Sequence, residues 1–277
     1  MKILCSIILY KPNVDKVKSL LKEMSVCIDN FFLWDNTPGG CSLDDILDFP
    51  IYSNGENLGL SKSYNEALKY AKIHGFDYLM TMDQDSKWVN FETYINQICK
   101  RESLSQFESI YFVSTAAGND IPFTLITSGG INSGAIIPVS FLDKIGGYNT
   151  DFFVDAIDDW LILEACKHKM GCLLVGNCYI QQKFGDSEEG HFLGKSFQVV
   201  NYSPMRLYGV MRNYFILWHE YSLPKDLKNK ILKGFFITWL VKILLGEDHK
   251  RKKISALFSG VYDGILQRPS RREKFSR

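Results

Sequence analysis

Most of the common nucleotide and metal motifs are missing from this 277-residue chain. It has no G-x-G-x-x-G, no complete Walker loop and no H-E-x-x-H. Without a glycine nest, a metal ion must neutralise any bound phosphate, and dehydrogenase and kinase readings lose most of their weight. Charge of one sign is also lacking: Lys+Arg 32 against Asp+Glu 31 gives no global field for nucleic acid. The seven cysteines form no C-x-x-C pair. Cys166, Cys172 and Cys178 recur every six residues without a histidine pattern, a spacing wrong for a zinc knuckle. Reduced, mostly buried thiols in a cytosolic protein are the expectation. No secretory signal is read at the start, because Ile3–Leu9 stops at Tyr10-Lys11-Pro12 without a small-residue cleavage site. That run reads as a fully buried strand.

What is present is an alternation of strand and helix. Ile3–Leu9 is a strand and Pro12-Asn13 a turn; Val14–Met24 carries apolar residues at Val14, Val17, Leu20, Leu21 and Met24, a helical spacing. Asp29–Trp34 reads as a second strand, Ile51–Ser53 as a short third, and Ser61–His74 as a helix with Ser61 as its cap. Tyr78–Met82 is the fourth strand. This rhythm predicts an α/β fold with a parallel, doubly wound sheet.

The fourth strand delivers Asp83-Gln84-Asp85. Two carboxylates one residue apart at a strand tip can grip one divalent cation, and that cation can neutralise a diphosphate. Tyr10, Asp35-Asn36 and Asn57 fall on the other strand tips, where such sheets bind ligands. An aromatic ring and a carboxylate suit a nucleobase and ribose hydroxyls; an ordinary Asx turn is the structural alternative for each. Further on, Asp151, Asp155, Asp158 and Asp159 crowd an aromatic stretch from Phe152 to Trp160. Such crowding should raise carboxyl pKa values and suit one of these acids as a general base. The alternative is a helix start, with acids complementing the dipole.

Taken in order, these segments resemble family 2 glycosyltransferases of the GT-A fold, in particular the bacterial rhamnosyltransferase-like branch. The resemblance is carried by Tyr10-Lys11-Pro12, Asp35-Asn36, Asn57-Leu58-Gly59, Asn65-Glu66-Ala67, Thr81-Met82-Asp83-Gln84-Asp85-Ser86 and Asn132-Ser133-Gly134-Ala135. Gly146-Gly147-Tyr148, Asp151 through Asp158, Tyr202 through Tyr208 and Arg212-Asn213 extend it towards the C-terminus.

The resemblance implies a mostly parallel sheet flanked by helices, with a C-terminal helical extension. A catalytic domain would span 1–200, nucleotide-binding over 1–100 and acceptor-binding and catalytic over 101–200, followed by a helical basic region over 201–277. Tyr10 and Asp35 would contact the base, with Asn36, Asn57 and Asn65 lining the same pocket. Asp83 would touch ribose or metal, Asp85 would bind Mn²⁺ or Mg²⁺, and Asn132-Ser133-Gly134 would lie beneath the donor sugar. Asp158 takes the slot of the general base, with Asp159 the competing choice. Arg206 and Arg212 would sit near the diphosphate or steer the chain onward; a basic face on an amphipathic helix is the other reading. Two departures stand out. Trp160 replaces a further acid, and Gln182 stands where the family carries a metal histidine ahead of Phe184-Gly185-Asp186, with His191 as a substitute ligand.

The activity implied is metal-dependent, inverting transfer of rhamnose, a hexose or galactofuranose from a dTDP- or UDP-sugar. The acceptor would be a growing bacterial surface polysaccharide, such as O-antigen or capsule, or a lipid-linked glycan. A sugar-phosphate nucleotidyltransferase and a catalytically degenerate glycan-binding scaffold are the rivals.

The C-terminal third changes character. Gly234–Gly246 is apolar but shorter than the roughly 20 residues of a membrane span. The last thirty residues hold nine Lys/Arg against three Asp/Glu. Apolar residues beside clustered bases fit a helix on an anionic membrane surface, hence a cytoplasmic protein peripheral to the inner face of the cell membrane. A helix packed on the protein with a solvated basic tail is the alternative.

Overall fold

The computed structural model describes residues 1–41, 49–117, 120–182, 188–192, 195–199 and 201–275, with backbone alone from 188 to 199. The chain divides into two units, Met1–Phe153 with Ile157–Gln182, and Val154–Ala156 with Lys183–Arg277.

The first unit opens with β1 (Ile3–Leu9), α1 (Val14–Met24), β2 (Phe31–Asp35) and β3 (Ile51–Ser53). Next come α2 (Leu60–Ile73), β4 (Tyr78–Asp83), β5 (Lys87–Val89), α3 (Phe91–Leu104) and β6 (Ser109–Ser114). It closes with β7 (Phe123–Leu125), β8 (Ala135–Pro138), α4 (Val139–Lys144), α5 (Ile157–Lys167) and β9 (Gly171–Gln181). One sheet runs β3-β2-β1-β4-β8-β6-β9-β5, with β7 pairing on β9. The first four strands are parallel, as the βαβ rhythm requires. Beyond β4 the sheet is mixed: β8 runs antiparallel to both β4 and β6, and β5 and β7 antiparallel to β9. All seven residues of β1 are buried, consistent with a central parallel strand covered on both faces. α1 packs Val17, Leu20, Leu21 and Met24 into the core, and the Asn13 side chain caps it by accepting from the Lys16 amide at 3.1 Å.

Three elements have bounds that differ from the sequence reading; β4 runs one residue further than expected, to Asp83. β2 starts at Phe31 rather than Asp29 and runs on to include Asp35, because the Asn30 carbonyl accepts the Cys5 amide and sets the register from there. α2 is capped by Gly59, not Ser61, which lies buried in its first turn. The Leu60 amide is met from outside the helix by the Phe153 carbonyl at 2.6 Å, so no side-chain cap is needed. Gly59 has φ +77°, and a Cβ there would stand 2.2 Å from the Phe153 ring. All seven cysteines are free thiols, but the expectation of mostly buried ones is met only by Cys5, Cys172 and Cys178; Cys99 and Cys166 are exposed.

The second unit holds a hairpin, β10 (Glu188–Phe192) with β11 (Lys195–Val199), then α6 (Pro204–Glu220) and α7 (Lys225–Lys233). A π-helical segment (Gly234–Val241), α8 (Lys242–Gly246), α9 (Lys250–Ile265) and a 3₁₀ turn (Arg272–Phe275) complete it. Leu207, Val210, Met211, Phe235, Ile243 and Leu257 form its core. Gly260 and Gly264 let α9 approach α6 closely; Cβ atoms there would come within 2.4 Å of the Tyr208 carbonyl and 2.6 Å of that of Arg212. Among the described residues no helix is long and apolar enough to cross a membrane.

Gly75 shares the left-handed backbone of Gly59 but has open space around it. Gly75→Ala should therefore cost only the conformational penalty of about 1–2 kcal/mol. Gly59→Ala should cost clearly more, the difference reading the Phe153 clash in urea-unfolding midpoints. Equal losses would show that Phe153 yields without cost.

Candidate functional site

β1 pairs in parallel with β2 on one side and β4 on the other, matching Leu9 with Asp35 and Ile8 with Asp83. Both acids thus reach the C-terminal edge of the sheet, flanking the end of the same strand. Tyr10 follows directly, its ring 43% exposed. Gln84 holds it there: the side-chain oxygen accepts the Tyr10 amide at 2.9 Å, and the side-chain nitrogen donates to the Tyr10 carbonyl at 2.9 Å. The sequence reading gave Gln84 no role, its one signal being its place between two aspartates.

Around Asp83 the structure assembles a small polar group. The Asp83 amide donates to the Ser133 hydroxyl at 3.1 Å, and Ser133 lies 2.9 Å from the Ser86 hydroxyl. The Gln182 side-chain nitrogen donates to the Asp83 carboxylate. Asp85 lies beyond the strand end and is exposed. Asp83, Ser133 and Gln182, assigned from scattered segments, are therefore neighbours.

A buried aromatic layer adjoins them. Tyr64 on α2 packs its ring 5.2 Å from that of Tyr148, which lies 6.0 Å from Trp160. The tryptophan that replaces a family acid is thus a core residue here. Burial pushes the Tyr64 phenol well above its ordinary pKa; the charges of Asp83 and Asp158 add to the shift, and the Asn132 amide opposes it. Burial likewise raises Tyr148, with Thr81 opposing and Asp158 adding. Yet the hydroxyls of Tyr64 and Tyr148 and both amide atoms of Asn132 close no hydrogen bond of ordinary geometry among the described residues. Asp158 and Asp159 both lie in the first turn of α5, so the helix-start reading is correct as far as it goes. Asp159 is buried, whereas Asp158 is partly exposed and the one open to a ligand.

Several assigned residues face their own scaffold. The Asp35 carboxylate accepts from the Thr37 and Cys41 amides at 2.8 and 2.7 Å and is buried, so it folds the loop after β2. The Asn36 side-chain oxygen takes three donors: the Trp34 indole, the Leu58 amide and the Ser63 hydroxyl. Asn57 makes an Asx turn to the Gly59 amide at 3.0 Å. Asn65 bonds both the amide and the carbonyl of Tyr148, at 2.7 and 2.9 Å, fixing the Gly147-Tyr148 turn against α2.

In the second unit, Arg206 binds Asp155 through two bonds of 3.3 and 3.1 Å and covers the Tyr202 ring at 3.9 Å. Burial raises the Asp155 carboxyl, and Arg206 opposes the shift. Arg212 is buried and donates twice to the Arg268 carbonyl, which replaces the expected basic helix face with an internal clamp. The Phe184-Gly185-Asp186 stretch and the His191 side chain lie outside the described residues.

Among the described residues, no three His, Cys, Asp or Glu side chains converge into an all-protein metal cage. Asp83, Asp85 and Gln182 offer hard oxygen donors near one strand end. That set suits a cation held by one or two carboxylates together with a ligand's phosphates.

No protein-family model matches the sequence, and no curated protein does. Solved structures do match in shape. TarS of S. aureus superposes with TM-score 0.58 at 14% identity, over 99% of this chain and 50% of that one, so the chain spans half its length. GalNAc-T7 with UDP, GalNAc and Mn²⁺ gives 0.58 at 10% identity, over 97% and 58% of the two chains. The mannosyltransferase PcManGT of Pyrobaculum calidifontis, with GDP-Man and Mn²⁺, gives 0.52 at 13% identity, over 96% and 76%. At these identities the likeness establishes the fold, the GT-A type of α/β glycosyltransferase structures.

The Tyr94 hydroxyl donates to the Gly134 carbonyl at 2.6 Å, whereas that of Tyr64 has no such partner. Tyr94→Phe should cost about 1–3 kcal/mol by stranding a buried carbonyl, while Tyr64→Phe should be neutral or stabilising. Urea titration decides; equal costs would show that ordered water satisfies Tyr64.

Proposed function

We propose that this chain is a metal-dependent, inverting glycosyltransferase that takes its sugar from a nucleoside diphosphate. The observation that supports this best is the polar group at the end of β4, where Asp83 is held by Ser133 and Gln182 beside the exposed Asp85. Asp158 lies partly exposed in the first turn of α5. In this reading Asp83 holds the metal–diphosphate and Asp158 takes the proton of an incoming hydroxyl. GalNAc-T7 and PcManGT, which share the fold, are seen with a nucleotide or nucleotide sugar and Mn²⁺.

In this reading residues 1–100 bind the nucleotide and 101–200 the acceptor. The Tyr10 ring, fixed by Gln84, stacks on the base, and the Asp35-organised loop shapes the wall beside it. Asp83, Asp85 and Gln182 would hold Mn²⁺ or Mg²⁺, whose chemistry is to neutralise the diphosphate. Asp158 takes the proton of the acceptor hydroxyl as that oxygen bonds to the anomeric carbon and the diphosphate leaves from the opposite face. A single displacement inverts the configuration. The donor is a dTDP-rhamnose or a UDP-linked hexose or galactofuranose, and the acceptor a growing surface polysaccharide or lipid-linked glycan. A nucleotidyltransferase would need a basic phosphate loop near Tyr10, where the sequence has one lysine, Lys11. A binding-only scaffold is the second reading, favoured by Gln182 in place of a metal histidine.

Heat-denaturation shifts with UDP, dTDP, GDP and CDP, each with Mn²⁺, Mg²⁺ or EDTA, test the donor site. Selective metal-dependent stabilisation by dTDP supports rhamnose, and by UDP a hexose or furanose. Asp85→Ala should abolish that shift. Asp158→Asn should keep it and slow transfer roughly 10²–10⁴-fold; loss of donor binding together with transfer would remove Asp158 as the base. Metal-dependent nucleotide binding without turnover on any acceptor would favour the scaffold.

A further inference from the structure

The helical part of the second unit leaves two apolar stripes in solvent. Phe236, Ile237, Val241 and Leu244 are exposed along the π-helical segment and α8, while Phe235 and Ile243 on the same run are buried. On α9, Phe258, Tyr262 and Ile265 are exposed at helical spacing, each by half or more. Phe235 joins the stripes: its ring lies 4.8 Å from that of Phe236 and 5.6 Å from that of Phe258. The outcome is one continuous aromatic and aliphatic face across two helical runs. Single exposed apolar side chains need no explanation, but a joined face of this kind does.

Bases edge that face. The Lys250 ammonium donates to the Leu244 carbonyl at 2.8 Å, placing positive charge at the end of the first stripe. The Arg268 guanidinium covers the Tyr262 ring at 4.9 Å, at the far end of the second. Lys242 lies on the first run itself and Lys233 ends α7 just before it, and residues 225–253 carry nine Lys/Arg against three Asp/Glu. Only Lys253 of the Lys250–Lys253 cluster turns inward, to a buried pair with Glu247 at 2.8 Å.

Three occupants can be weighed on this chemistry. A bilayer-crossing role fails, because no described helix has the length. Self-association through the same face would bring two basic rims together, which like charge opposes. A surface apolar in depth and anionic at its rim matches both features at once. We propose that this face docks on an anionic lipid bilayer, lying in the headgroup plane with Phe236, Ile237 and Phe258 inserted. The unit thereby holds the chain at a membrane surface, whatever reaction the other unit performs.

The full chain should float with phosphatidylcholine–phosphatidylglycerol vesicles, not with pure phosphatidylcholine, and high salt should release it. Two variants separate the contributions: Phe236→Ser with Phe258→Ser, and Lys233→Gln with Lys242→Gln. Each pair should weaken partitioning about tenfold or more with little change in melting temperature, since Phe236, Phe258 and Lys233 are exposed and Lys242 half-buried. Nucleotide binding provides an independent check of folding and stays as in the parent chain. The proposal is overturned if no vesicle binds the chain, or if the lysine pair binds as tightly as the parent. It is overturned equally if light scattering shows a dimer that both variants dissolve and no vesicle captures.

Discussion

Everything at the sheet edge depends on the register of β1. Its pairing with β2 sets Asp35 opposite Leu9, and its pairing with β4 sets Asp83 opposite Ile8. A slip of one residue in either pair would carry the acid to the opposite face of the sheet, because side chains alternate along a strand. The register is held by apolar burial along all of β1 and by the Gln84 amide, which closes both backbone bonds of Tyr10 just beyond the strand. Gln84 therefore links the tip of β1 to the D-x-D turn of β4. The spacing Asp-Gln-Asp is thus a structural unit as well as a row of donors.

Behind that edge the polar accounting is uneven. Asn36, Asn65 and Asp35 are satisfied several times over by backbone and hydroxyl groups. Tyr64, Tyr148 and Asn132 instead carry buried polar atoms without partners of ordinary geometry among the described residues. Natural proteins leave few such groups, and they gather where a site stores strain or admits water. Tyr64 stays protonated, since burial first and the charges of Asp83 and Asp158 next oppose the phenolate.

Much of this architecture could be read from local pattern. β1, α1 and β3 have the bounds given by apolar runs, the Asn13 cap and turn residues. Where local pattern failed, a distant partner had decided. The start of α2 is set by the Phe153 carbonyl, ninety-odd residues along the chain, and Asn65 finds its partners at Tyr148, |i−j| = 83 away. The antiparallel strands beyond β4 are three to six residues long apart from β9, too short to carry a directional signal. Tyr64 reads in sequence as one more apolar residue on a helix; only the packing shows its ring against that of Tyr148.

Net charge is informative only locally. Near-neutrality across 277 residues removes any global field for nucleic acid, and the membrane expectation rests on the C-terminal bases and the apolar residues beside them. Yet the bases are not spread evenly: nine against three acids fall between 225 and 253, leaving the remainder of the chain net acidic. Screening at physiological salt limits each charge to about 8 Å, so a partner feels the nearby surface and not the molecular total. Local charge set beside local apolar exposure is then the quantity that selects a partner. On the second unit the two coincide on one face, which a whole-chain sum could only conceal.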